Sequence, residues 1–214
     1  MISIVPEAIE SYAVEHSSST DSIFDELEAA TREHMSMPQM LTGKLEGRFL
    51  KLMVMMSGAK HVLEVGMFSG YSALWMASGL TEKGKLTTCE INESYIEFAK
   101  PYFKKASFGH KITVKNGAAL ETIRNIKKEE VDFVFIDADK LNYDAYYESA
   151  LDRIPKGGWI LLDNMLWSGN VLNSDQDEET YALHSLNEKI AKDERVENTL
   201  LTIRDGIQLV RKIK

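Results

Sequence analysis

The chain has 214 residues, 44% of them hydrophobic, which suffices for one substantial core and does not require a second, so a single domain over 1–214 is expected. A formal net charge of −8 and a pI near 5.2 provide no long-range attraction to polyanions, which argues against nucleic acid or an anionic membrane as an obvious partner. The opening MISIVPEAIESYAVEH has no basic or sustained apolar segment, and no run approaches the roughly 18 apolar residues of a membrane span, so a cytoplasmic protein is expected. The single cysteine, Cys89 in KLTTCEI, reads as a buried reduced thiol on a strand.

In chain order, the first elements read as helices over 6–15, 21–33 and 43–57. The second is opened by Thr20 or Asp21 as N-cap, and the third carries apolar residues at helical spacing in KLEGRFLKLMVMM. Residues 1–57 are thus expected to form a helical cap or lid ahead of an α/β core at 58–214. There, short apolar runs alternate with amphipathic stretches: strands at 61–66, 85–91, 111–116, 131–137, 158–163, 198–203 and 206–212, and helices near 70–79, 92–106, 118–128, 142–152 and 178–192. Five strands each followed by a helix predict right-handed βαβ units and an α/β fold, a mostly parallel seven-stranded sheet with helices on both faces. Asp205-Gly206 leaves room only for a hairpin, so the last strand is expected to run antiparallel to the sixth. The polar NSDQDEET (173–180) reads as an exposed loop.

In such a sheet ligands bind outside the carboxyl ends of the strands, near the point where strand order reverses. The first strand ends in LEVGMFSGYSA, where Gly66 and Gly70 permit a tight turn and Ser72 lies in the first turn of the next helix, an anion-favouring position. The second strand ends in Glu90, placed to accept ribose hydroxyls. This predicts a nucleoside site. Phe68 stands where a dinucleotide fingerprint has its second glycine, so a nucleoside bearing a carboxylate, S-adenosylmethionine, fits better than a diphosphate.

The fourth strand ends at Asp137 and the fifth at Asp163-Asn164. If the two strands are neighbours, their tips stand about 5 Å apart. Two ionised carboxylates that close are costly without a positive charge between them, and an oxygen-only set suits a hard divalent cation such as Mg²⁺, Mn²⁺ or Ca²⁺. Asp139 reads either as the cap of a helix entered at Asn142 or as part of the ligand site. Lys140 reads as a surface lysine or, beside a bound cation, as an amine able to take a phenol proton.

The segments LEVGMFSGYSA, GAAL (117–120), FIDADKLNYDAYY and DNMLWSGNV resemble, in this order and spacing, the cation-dependent class I S-adenosylmethionine O-methyltransferases, the group containing caffeoyl-CoA and catechol O-methyltransferases. The likeness runs from about Met35 to the C-terminus. It implies a Rossmann-like class I methyltransferase fold and, commonly, a homodimer. Carried over by residue, it implies that Glu64, Gly66 and Ser72 hold the methionine part of the cofactor and Glu90 the ribose, with Met67 also at the cofactor. Thr42, Ala119, Asp137 and Asp139 would complete that pocket. Asp137, Asp163 and Asn164 would be the metal ligands and Lys140 the general base, while Met40, Lys140, Tyr143, Trp167 and Ser168 would meet the substrate. Plant members usually carry Asn where this chain has Ser168, and the acidic 168–178 loop does not favour the phosphates of caffeoyl-CoA, so a small catechol or phenolic acid is the expected substrate. The alternatives are a hydroxylated uridine in tRNA, which calls for a basic face, a dinucleotide oxidoreductase, disfavoured by Phe68, and a catalytically silent binding module.

Overall fold

A computed structural model describes residues 5–214, so the first four residues of the expected cap lie outside the described residues. The seven strands are β1 (His61–Val65), β2 (Lys85–Glu90), β3 (Ile112–Asn116), β4 (Phe133–Ile136), β5 (Trp159–Leu162), β6 (Val196–Leu201) and β7 (Ile207–Lys212). They lie in the order β3-β2-β1-β4-β5-β7-β6. The first five are parallel, and β7 runs antiparallel to both β5 and β6. Strand order therefore reverses between β1 and β4.

Every residue of β1 and β4 is buried, as expected of central parallel strands covered on both faces. Their side chains alternate between two cores, because successive residues of a strand point to opposite faces. Val62, Phe133 and Phe135 enter one core with Phe24, Leu50, Leu74 and Trp75; Leu63, Val65, Val134 and Ile136 enter the other with Ile123, Tyr147 and Leu183. The first core lies under α2 (Ser22–His34), α3 (Lys44–Ser57), α4 (Tyr71–Gly79) and α5 (Glu93–Lys105), and the second under α6 (Ala119–Asn125), α7 (Tyr143–Arg153) and α8 (Glu178–Ala191).

The N-terminal helices α2 and α3 are built into the first core. Phe24 stacks on Trp75 with centroids 3.9 Å apart, and Gly47 lets α3 lie against that indole, since a Cβ there would come 2.3 Å from the ring. By contrast α1 (Glu7–Glu15) buries no residue. Asp21 is the N-cap of α2 and accepts from the Ile23 N–H at 3.1 Å.

Three features differ from the sequence reading. Four short 3₁₀ turns, Pro38–Met40, Gly109–Lys111, Lys140–Asn142 and Trp167–Leu172, occupy stretches read as loop or as flanks of longer elements. Second, β4 starts at Phe133 rather than Val131, and just before it the Asp132 carboxylate accepts the backbone N–H groups of Lys60 and His61. Third, Asp139 does not cap the following helix; its carboxylate accepts instead from the side chains of Asn142 and Tyr146. Among the described residues no helix is long and apolar enough to cross a membrane.

Candidate active site at the strand tips

The turn after β1 can form only because residue 66 is glycine. Its φ is 96°, and a Cβ there would come 1.9 Å from the Asp137 carbonyl oxygen at the tip of β4. Gly70, with φ 81°, opens α4 against the Phe103 ring in the same way. Between them Phe68 takes a left-handed conformation although it is not glycine, with φ 50°. Its N–H donates to Glu90 Oε2 at 2.9 Å, and its ring packs edge-on against Tyr95. Glu90 Oε1 accepts from the N–H groups of Ile91 and Asn92, so three backbone amides fix this carboxylate at the tip of β2.

Beneath the turn, Glu64 is fully buried. Its two carboxylate oxygens accept from Ser72 Oγ at 2.6 Å and Thr88 Oγ1 at 2.5 Å. Burial pushes the Glu64 carboxyl up to about 8, against the opposing pull of those two hydroxyls. Thr88 was not anticipated; the available signal is period two, which puts it on the same face as Leu86 and Glu90 of β2.

The expected adjacency of β4 and β5 holds. Ile136 pairs with Leu162, and the Asp163 N–H donates to the Ile136 carbonyl at 3.0 Å, so Asp137 and Asp163 emerge side by side. Asp163 and Asn164 are buried, the latter at φ 61°. Burial first, and the Asp137 charge second, push the Asp163 carboxyl up to about 7. Lys140 reaches into this gap: its Nζ donates to Asp137 Oδ1 at 3.2 Å, to Asn164 Oδ1 at 2.6 Å and to the Tyr143 hydroxyl at 2.6 Å. The Tyr143 hydroxyl in turn donates to the Asp163 carbonyl at 3.1 Å, and burial holds its phenol well above the ordinary range.

Two of the three expected metal ligands thus already converge on the Lys140 nitrogen, an arrangement their oxygen chemistry also offers to a hard divalent ion. Among the described residues no group of three or more His, Cys, Asp or Glu side chains is arranged to hold a metal, so the cation expectation rests on two carboxylates and an amide.

One acidic residue near this gap escaped the sequence reading. Glu46 of α3 is 1% exposed, and its Oε1 has no hydrogen-bond partner. Burial, and after it the charge of Asp163, hold its carboxyl well above the usual range, and Arg204 Nη1 stands 3.7 Å from its Oε2. The signal was present in KLEGRFLKLMVMM, where Glu46 shares its helix face with Leu50, Met53 and Val54 at i+4, i+7 and i+8.

A cavity of about 800 Å³ opens over these tips. Of the expected residues, Met40, Gly66, Glu90, Ala119, Asp137, Asp139, Lys140, Asn164 and Trp167 line it, joined by Met37, Phe68, Cys89, Tyr95, Tyr146 and Glu179. Thr42, Glu64, Met67, Ser72, Tyr143 and Asp163 are buried without lining it, and half-buried Ser168 does not line it either. Burial pushes the Cys89 thiol up to about 11, which removes it as a nucleophile at neutral pH.

Comparison with known proteins adds a second line of argument. A family model described as O-methyltransferase matches residues 14–213. Probable caffeoyl-CoA O-methyltransferase 1 of Dictyostelium discoideum is 38% identical over 212 residues, 96% of this chain and 92% of that protein. Caffeoyl-CoA O-methyltransferase of Medicago sativa is 36% identical, covering 82% of this chain and 76% of its own. Among solved structures, the O-methyltransferase from Bacillus cereus in complex with SAH superposes with a TM-score of 0.87 at 32% identity, over 96% of this chain and 97% of that one.

Proposed function

The chain belongs to the O-methyltransferase family, and on that premise we propose that it transfers a methyl group from S-adenosylmethionine to one hydroxyl of a catechol-type small molecule with the help of a divalent cation. The observation that carries this reading is the convergence of Asp137, Asn164 and Lys140 on one point in the wall of a cavity whose other end is the Gly66–Phe68 turn and Glu90.

S-adenosylmethionine supplies, when bound, an electrophilic methyl on a sulfonium. Glu90 is preset by its three backbone amides to accept ribose hydroxyls, and Gly66, Ala119 and Asp139 line the same cavity and complete the cofactor pocket. Asp137, Asp163 and Asn164 are the residues that would hold the cation, which supplies Lewis acidity that lowers the pKa of a phenol beside it. Met40 and Trp167 line the cavity and would wall the acceptor ring. Lys140, in the neutral form that a bound cation would favour, would accept the phenol proton and leave a phenolate oxygen to take the methyl, with the sulfide of S-adenosylhomocysteine as the leaving group. The protein's contribution is to hold the two partners in line and keep the proton acceptor at the reacting oxygen.

A second reading, a caffeoyl-CoA acceptor, is favoured by the names of the Dictyostelium and Medicago relatives. Against it, Glu179 lines the cavity, and Asp175, Asp177 and Glu178 lie just before it in the chain, a setting unfavourable to phosphates. Transfer of labelled methyl from S-adenosylmethionine to a panel of vicinal diphenols, monohydric phenols and caffeoyl-CoA tests both. Turnover confined to the small diphenols is expected; turnover of caffeoyl-CoA alone selects the second reading, and transfer to none of them overturns both.

A further inference from the structure

The tip of the β6–β7 hairpin supplies no residue to the cavity lining, yet it holds both segments that carry the wall's acceptor side. Arg204, at φ 48°, and Gly206, at φ 90°, make the tight turn, closed by the Gly206 N–H on the Ile203 carbonyl. From it the Arg204 side chain, 18% exposed, crosses to the N-terminal cap and donates to the Leu41 carbonyl at 2.9 Å, across 163 residues of sequence. The cap is shaped around this guanidinium. A Cβ on Gly43 would come 2.8 Å from Arg204 Nη1, and Glu46 Oε2 lies 3.7 Å from the same nitrogen.

The next residue grips the opposite wall. Buried Asp205 accepts the Ser168 N–H on Oδ1 and the Leu166 N–H on its carbonyl, at 2.9 Å for the latter, while the Gly206 carbonyl accepts the Met165 N–H at 3.0 Å. The segment so held is strained. Asn164, Trp167 and Ser168 all have positive φ, at 61°, 47° and 55°, conformations that persist only where surrounding contacts impose them. Leu41 is the neighbour of Met40, and Leu166 and Ser168 flank Trp167; Met40 and Trp167 both line the cavity.

We propose that Arg204 and Asp205 are positioning residues that set the width of the acceptor mouth, Arg204 by fixing Met40 and Asp205 by fixing Trp167. The inference rests on the catechol reading for its substrate but not for its mechanics. Neither residue touches the cofactor end of the cavity at Gly66 and Glu90, so the effect falls on acceptor selection and spares the cofactor.

The test compares wild type with Arg204→Met, Arg204→Lys and Asp205→Ala, the last of which removes the acceptor of the Ser168 N–H. Hydrogen exchange reads the mechanics without turnover: Arg204→Met is expected to speed exchange in 37–43, Asp205→Ala in 164–170, and neither in 66–72. Calorimetry with S-adenosylhomocysteine is expected to give affinities equal to wild type. In methyl transfer, Arg204→Met is expected to raise KM for a small catechol by about tenfold, with a smaller change in kcat, and to shift the preference between a bulky and a small diphenol. Arg204→Lys, which keeps a donor, is expected to restore part of both. Unchanged exchange in 37–43 and 164–170, unchanged acceptor preference, or a parallel loss of S-adenosylhomocysteine affinity overturns the inference. If wild type methylates no phenol while the exchange pattern is as expected, the substrate reading fails and the clamp stands.

Discussion

Lys140 and Asn164 are joined by a 2.6 Å hydrogen bond from the lysine Nζ to the amide oxygen, across the gap between the tips of β4 and β5. That contact assembles residues 24 positions apart into one site, and the same nitrogen also binds Asp137 and Tyr143. The lysine nitrogen occupies the point where the oxygen ligands meet, and in the neutral form that a bound cation would favour it is placed to take a proton from a phenol held beside it.

Replacing Lys140 with methionine keeps the stem and removes the amine. We expect kcat for a catechol to fall by about 10²–10⁴, the range a positioned general base contributes, with S-adenosylhomocysteine affinity within a few-fold of wild type. Steady-state kinetics beside calorimetry check this; an unchanged kcat removes Lys140 as the base.

The buried acids predict a pH dependence of stability. Asp163, pushed up to about 7, and Glu64, up to about 8, both titrate above their unfolded values, so the folded state holds more protons than the unfolded one through this window. Stability contributed by these groups is therefore full near pH 4 and falls as pH rises through 7 and 8. The metal-free protein is expected to lose melting temperature between pH 6 and 8.5. Mg²⁺ is expected to restore part of it at the alkaline end, where Asp163 is ionised, and little at pH 6. Thermal melts across pH with and without Mg²⁺ check both signs.

Gly66→Ala forces a Cβ into the Asp137 carbonyl at a position with φ 96°. We expect a loss of about 1–3 kcal/mol or more in stability and a weakened cofactor site, because β1 and β4 must separate where the cofactor turn rests. Chemical denaturation and S-adenosylhomocysteine titration measure the two effects.

Much of the fold was legible because periodicity reports which face of an element is buried. The short apolar-rich run of β1, the continuous apolar run of β4, the switch to helical spacing after each strand, and the Asp205-Gly206 turn located the elements to within a few residues. The convergence of Asp137 with Asn164 was legible only as a condition, that β4 and β5 be neighbours, which the sheet order satisfies. What stayed hidden is made by contacts remote in sequence. Arg204 reads as an ordinary charge in a hairpin until its reach to Leu41 is seen. Phe68, counted against a dinucleotide for not being glycine, takes a left-handed conformation with its N–H on Glu90. The depth of Thr42, Glu64 and Ser72, buried and not among the residues that line the cavity, was hidden too, since pattern and likeness locate a residue along the chain and not its depth.

The central claim, methyl transfer to a diphenol at a cation site built on Asp137, Asp163 and Asn164, is tested most directly by the initial rate of catechol methylation under metal control. Treatment with EDTA is expected to abolish turnover and added Mg²⁺ to restore it in wild type, while Asp163→Ala stays inactive at any Mg²⁺ concentration that saturates wild type. Turnover that persists undiminished in EDTA, or in Asp163→Ala, would contradict the account.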